Sequence, residues 1–310
     1  MSTTKHSVTY KNLNGNGITN AANLFHPPNF DESKKYSAIV VGHPAGGVKE
    51  QTSGLYAEKL AAGGFVTIAY DASYQGDSTG EPRHLEDPYI RTEDNSAAVD
   101  YLTTLPYVDN TNIGILGICA SGGYCVNAAI NDKRIKAVGT LSAVNIGNMY
   151  RAGWDGKQKD IALATLELGD LARTDEADGK DIAYLPFAPE KPEDAPLPEL
   201  KDAYDYYRTS RAEHKNSPSK FTVRSLNQLV TYDAYHLAKD FLSQPLLMIA
   251  GSEAGTRFYS DDLPKEVKGT SKDAQTYLVE GSNHFDLYDK PKPVDEAVSQ
   301  FIPFFQKYLQ

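Results

Sequence analysis

Short apolar runs along the chain alternate with longer stretches whose apolar positions recur at helical spacing. Near the start, SVTY, GIT and NAANLF are split by Asn and Gly, a pattern that predicts an antiparallel opening meander. The run Tyr36–Gly42 (YSAIVVG) lacks polar alternation, so burial on both faces is expected. A helical pattern over residues 52–62 stops at Gly63-Gly64, and residues 65–71 (FVTIAYD) form the next buried strand. Helical period returns over residues 91–105 and is closed by Pro106. Residues 112–118 (NIGILGI) predict a third buried strand, then a helix to about Asn131, then a fourth strand, IKAVGTLSA.

From about residue 147 to 240 this rhythm is lost. The segment is polar, charged and in part Pro-rich (FAPEKPEDAPLPEL), with one aromatic helix candidate, ELKDAYDYYRTSRAEH. Alternation resumes with QPLLMIAGSE (244–253), AQTYLVEGSNH (274–284) and a terminal helix from about Val294, in which Pro303 predicts a kink. Strands and helices in alternation, with short connections, imply an α/β fold: a mostly parallel twisted sheet with helices on both faces. Residues 1–146 and 241–310 are assigned to that core. Residues 147–240 are assigned to an inserted cap, expected to cover one edge of the sheet.

Composition narrows the partners. The 310 residues carry a formal net charge of −10, and 40% are hydrophobic. A sizeable core is expected, while nucleic acid and anionic membrane are disfavoured because both require basic patches. No segment reaches the ~18 apolar residues of a membrane helix, and MSTTKHSVTY has no apolar leader. Cys119 and Cys125 lie six apart without zinc spacing, and two free thiols fit a reducing cytoplasm. Oligomeric state is not legible, and a homodimer is left open.

The stretch GILGICASGGYC (114–125) carries the candidate chemistry. A nucleophile raised on a sharp strand-to-helix turn needs small residues two before and two after it, since the two backbones nearly touch. Gly117 and Ser121 flank Cys119 in this way, and Cys119 and Gly123 flank Ser121. Strand length favours Cys119. A strand ending at Ile118 is comfortable, whereas a helix opening on Gly122-Gly123 would start on two poor helix formers. Ser121 is then the small flank, placed to cap or support the turn. Cys125, inside the following helix, reads as a core filler. The competing reading makes Cys119 an inert buried thiol and the glycines mere packing.

A free thiol is mostly protonated at neutral pH and needs a base. His284 follows the last core strand, on a Gly-Ser-Asn loop able to bring it back over the elbow. The carboxylate that would fix its tautomer is sought after the preceding strand. Glu253 is the choice, with Asp261, Asp262, Asp286 and Asp289 as substitutes. Such acids commonly sit three residues past the strand-end glycine, where this chain has Ala254. The oxyanion hole is expected from the N–H of Ala120 and that of Ala45, with Gly46 close behind, in the loop GHPAGGVKEQ. His43 is read as an anchor of that loop. Neither GGVK nor the other Gly pairs fit a phosphate or dinucleotide fingerprint.

These residues in this order, with H-P-x-G-G after an early strand, resemble the α/β-hydrolase superfamily. The Cys in G-I-C-A-S-G-G is similar to the elbow of the dienelactone hydrolase family. YDASYQGDSTGEPR (70–83) resembles a segment of a dienelactone-hydrolase-like subgroup that includes fungal polyketide transferases. The resemblance covers residues 5–146 and 241–310. It implies an α/β-hydrolase fold and a Cys-His-acid triad with Cys119 as nucleophile and His284 as base. It implies hydrolysis of a small-molecule ester, lactone or thioester through an acyl-enzyme, without metal or organic cofactor. Acyl transfer by the same triad and a catalytically silent binding protein are the alternatives. Glu253 in place of the family's Asp, and the long insertion, depart from the pattern. Tyr74 and Arg83, with Asp71, are placed either to line a pocket, Arg83 as a clamp for a carboxylate, or to order their own loop by polar contacts. Tyr206 and Tyr207 on the cap helix are placed either to roof the pocket or to bury the cap on the core.

Overall fold

Strand burial follows the absence of polar alternation. All of β4 (Val66–Tyr70), and all but the first two residues of β3 (Tyr36–Gly42), are buried. In chain order these are preceded by β1 (Thr4–Lys11) and β2 (Thr19–His26) and joined by α1 (Thr52–Ala62). There follow α2 (Pro88–Thr103), β5 (Val108–Ile118), α3 (Ala120–Asn131) and β6 (Ile135–Leu141). Between β6 and β9 the chain holds α4 (Ile146–Ala152), α5 (Ala162–Ala177), β7 (Tyr184–Pro186), α6 (Glu199–Arg208), β8 (Lys220–Thr222), α7 (Leu226–Thr231) and α8 (Ala238–Phe241). The chain closes with β9 (Leu246–Gly251), α9 (Arg257–Glu266), β10 (Ala274–Val279), α10 (Asp286–Asp289) and α11 (Pro291–Tyr308). This computed structural model describes residues 2–309.

Eight strands form one sheet in the order β1-β2-β4-β3-β5-β6-β9-β10. Within this sheet β4, β3, β5, β6, β9 and β10 pair in parallel, while β2 is antiparallel to both β1 and β4; β7 and β8 form a separate antiparallel pair. Successive residues of β3 point to opposite faces, so Val40 joins one core with α2 and α3, and Ile39 and Val41 join another with α1 and α11. The result is an α/β-hydrolase fold. Pro303 sits inside α11, which runs on to Tyr308. No helix among the described residues is long and apolar enough to cross a membrane.

Strand order locates the site. From β3 the chain moves to β4 on one side, then returns to β5 on the other. The loops leaving the carboxyl ends of β3 and β5 therefore diverge and open a crevice between them. The inserted segment does not cover an edge of the sheet. The edges are β1 and β10, whereas the insertion joins β6 to β9, which are neighbours inside the sheet. It rises instead over the carboxyl ends of the strands. Ser217 Oγ donates to Gly46 O (2.6 Å), Gln51 Nε2 to Ala212 O (2.8 Å), and Thr52 N to the Tyr206 hydroxyl (2.9 Å).

Candidate active site

β5 ends at Ile118 and α3 begins at Ala120, so Cys119 alone makes the turn. Its φ of 56° and ψ of −119° are strained for a residue with a Cβ. Close approach of the two backbones accounts for the small flanks. A Cβ on Gly117 would stand 2.1 Å from the carbonyl oxygen of Ser121. Cys119 keeps part of its surface, while Cys125 is buried and its thiol donates to Asn95 Oδ1 (3.4 Å). Ser121 is fully buried. Its hydroxyl donates to His43 O (2.5 Å) and accepts from Arg91 Nη2 (3.0 Å).

The main-chain N–H groups of Ala120 and Ala45 both pull the Cys119 thiol down against its burial. The Ala45 peptide is held from behind. Ala72 N donates to His43 Nε2 (3.0 Å), so the ring carries its proton on Nδ1 and donates it to Pro44 O (2.7 Å). Gly47 N donates to the same carbonyl (3.0 Å). Burial, with Arg91 adding to it, pushes His43 well below the usual histidine range. Gly46 has φ +69°, and a Cβ there would meet the Phe187 ring at 2.7 Å.

His284 is fully buried. Its Nε2 shares a hydrogen bond with the Tyr288 hydroxyl (3.1 Å), and Tyr288 in turn acts on the Cys119 thiol, pulling it down against burial. Tyr288 thus neighbours both groups, and the described hydrogen bonds include none from His284 or Tyr288 to Cys119. Its Nδ1 faces the Thr256 hydroxyl (2.7 Å). Glu253 does not reach the ring. The chain turns straight after β9, with Glu253 N bonded to Ser282 O (3.0 Å) and the Glu253 carboxylate exposed; the return leg brings Thr256 beneath His284. The substitutes are engaged elsewhere: Asp261 with Arg257 (2.9 Å), Asp262 with Lys265 (3.1 Å), Asp286 with Asn283 N (3.0 Å) and Asp289 with Arg211 (2.6 Å).

A cap carboxylate reaches this loop instead. Glu199 Oε1 accepts the main-chain N–H of His284 (2.8 Å). Its Oε2 accepts Trp154 Nε1 (2.7 Å) and Gly255 N (3.1 Å). The Trp154 ring lies against His284, centroids 4.7 Å apart. Burial holds the imidazole down at about 3 and pushes the Cys119 thiol up to about 11, against smaller opposing pulls from Tyr288 and the two amides. At neutral pH the pair is therefore a thiol and a neutral imidazole.

The remaining candidates divide. Tyr207 lies edge-on to Tyr288, ring centroids 6.5 Å apart. Tyr206 instead pins the cap to α1, its hydroxyl accepting Thr52 N, with Arg211 over its ring at 5.5 Å. Arg83 is spent on its own loop, donating to Ser78 O (2.6 Å), Gly76 O (2.7 Å) and Gly80 O (3.3 Å), so no fork remains for a substrate carboxylate. Tyr74 packs on Gly80 of that loop, and Asp71 is paired with Lys49 (2.7 Å). Tyr150, Phe187, Phe221 and Tyr259 pack with Ala45, Ala120 and Cys119, making an apolar wall. Sequence reasoning missed Tyr288, Thr256, Trp154, Glu199 and Arg91. Tyr288 had a signal, lying one helical turn beyond His284; the others had none in their local sequence.

The family described as X-Pro dipeptidyl-peptidase (S15 family) matches residues 16–252. Uncharacterized protein YcjY of Escherichia coli (strain K12) is 55% identical over 305 residues, 98% of this chain and 99% of its own. The crystal structure of hypothetical protein PA2218 from Pseudomonas aeruginosa aligns with a TM-score of 0.90 at 34% identity, covering 99% of this chain and 94% of that one. A thiohydrolase of Eupenicillium brefeldianum is 24% identical over 268 residues, 83% of this chain and 82% of its own.

Proposed function

The chain belongs to the X-Pro dipeptidyl-peptidase (S15) family and is an α/β-hydrolase-type enzyme, and from that premise we propose that it cleaves or transfers acyl groups of small esters, lactones or thioesters through a covalent acyl-Cys119. The observation that carries this reading is a cysteine raised alone on a strained strand-to-helix turn, where the Ala45 and Ala120 amides both favour its thiolate. Cys119 attacks the carbonyl carbon, and the thiol proton passes by the Tyr288 hydroxyl to His284 Nε2. The two amides receive the oxyanion. Collapse expels the leaving group, and water or an acceptor alcohol or thiol releases the acyl group while the proton returns. His284 accepts at Nε2 when Nδ1 carries its proton and donates to Thr256.

The nucleophile of this family is typically serine, whereas this turn holds cysteine. The leaving group decides how much proton transfer the site must supply. An amine must take a proton as it departs. A thiolate leaves without it. Thioesters and activated esters are therefore the substrates of choice over X-Pro peptides, and a thiohydrolase is among the relatives.

The test compares wild type, Cys119→Ala and Ser121→Ala on acyl thioesters, p-nitrophenyl esters and an X-Pro p-nitroanilide. Thioester turnover is expected to fall at least about a thousandfold in Cys119→Ala and about threefold to tenfold in Ser121→Ala, with the p-nitroanilide uncleaved. An acyl adduct on residue 119 is expected by mass spectrometry. Retained turnover in Cys119→Ala with loss in Ser121→Ala would reverse the assignment. The hydroxyl at Nδ1 favours a second reading, ligand binding without turnover, which predicts no adduct from any of these acyl donors.

A further inference from the structure

Arg91 is 1% exposed, on α2, beneath the junction of the elbow and the loop after β3. Its Nη2 donates to His43 O (2.8 Å) and to Ser121 Oγ (3.0 Å). Its Nη1 faces Glu86 Oε2 (3.3 Å), and the guanidinium stacks over the Tyr124 ring at 5.0 Å. Its Nε has no partner. A buried ion pair is a poor way to stabilise a fold, since packed apolar side chains of similar size often serve as well or better. The position of the cation therefore invites a reason other than stability.

That reason lies in the two peptide planes ahead of Ala45. The Ala45 N–H shares its plane with the Pro44 carbonyl, which is held by His43 Nδ1 and Gly47 N. The plane before it, His43–Pro44, has no N–H, so its carbonyl alone can fix it. That carbonyl takes Arg91 and Ser121. Ser121 belongs to the first turn of α3, two residues after Cys119. One guanidinium thus ties the loop that presents the Ala45 amide to the helix that presents the Ala120 amide.

We infer that Arg91 is a positioning residue that sets the spacing of the two oxyanion amides, with Ser121 as its bridge. This rests on the reading of Cys119 as nucleophile. Its charge is also felt at the sulfur, where it favours the thiolate. Loss of Arg91 therefore acts on the transition state and on the thiol, and leaves ground-state binding largely alone.

The test uses the full chain with an acyl thioester. Arg91→Met alone would orphan Glu86, so the main variant is Arg91→Met with Glu86→Gln. Arg91→Lys and Ser121→Ala accompany it and keep the test open should the double variant not fold. The double variant is expected to lose about tenfold to a hundredfold in kcat with KM within about threefold. Its Cys119 iodoacetamide-labelling profile, read by peptide mass spectrometry, is expected to move to higher pH. Arg91→Lys is expected to restore the labelling profile but not kcat, because an ammonium keeps the charge without the fork. A wild-type kcat and labelling profile in folded variants would overturn the inference. Cys119→Ala separates the two failures: if it retains turnover, the nucleophile assignment falls; if it is dead while Arg91 variants match wild type, only the role of Arg91 falls.

Discussion

Thr256 stands where a carboxylate ordinarily fixes the imidazole, and this single exchange governs the protonation of the whole site. A hydroxyl orients Nδ1 but brings no charge to balance an imidazolium, so burial alone sets the basicity of His284. Asp is close to Thr in volume. Thr256→Asp is expected to raise His284 from about 3 toward the ordinary range and increase kcat on thioesters about tenfold or more. Thr256→Val is expected to lower kcat about tenfold. The pH dependence of kcat/KM for the three proteins checks both. At this scale the sequence told most where the rule is local. Small flanks mark the turn at Cys119. The partner of Nδ1 was not legible, because Glu253 and Thr256 differ only in the path of a loop whose course is set by Ser282 and by Glu199, far away in sequence.

Among the elements, α6 does more than roof the site. Its first residue, Glu199, accepts three N–H groups from three places: the loop carrying His284, the loop carrying Thr256, and Trp154. A Gln side chain has one acceptor oxygen, so Glu199→Gln leaves at least one of those donors without a partner. The expected result is faster amide hydrogen exchange at residues 254–256 and 283–286, with about a tenfold loss of kcat. Unchanged exchange there would show that the cap does not hold these loops. The core strands were legible because unbroken apolar runs leave few alternatives for a strand buried on both faces. The insertion was legible only as a change of texture. Its short elements are specified by bonds to the core, such as Thr222 N to His84 O (3.0 Å), and those partners are dispersed along the chain. Its expected place at a sheet edge failed for the same reason, since strand order decides it.

For the molecule as a whole, two neutral histidines packed in the core make stability pH-dependent. His43 lies well below its ordinary value and His284 at about 3, both through burial. In the unfolded chain each takes up a proton near pH 6.5, whereas in the folded protein it does not until far lower. Unfolded molecules thus bind more protons across that interval. The contribution is complete above about pH 6.5 and declines as the pH falls, by at most about 1.4 kcal/mol per unit for each ring. Urea unfolding at pH 7.5, 6 and 5 is expected to show the midpoint dropping with acidity, and His43→Asn is expected to flatten that trend. The overall architecture needed no such detail to be read, because the rhythm of buried strand and helix already specifies a parallel sheet.

The chain has a single indole, and it rests on the imidazole of His284. Excited beyond the tyrosine band, the protein therefore has one emitter, in contact with the candidate base. Its brightness and colour are expected to report any ligand that reaches His284, without any label.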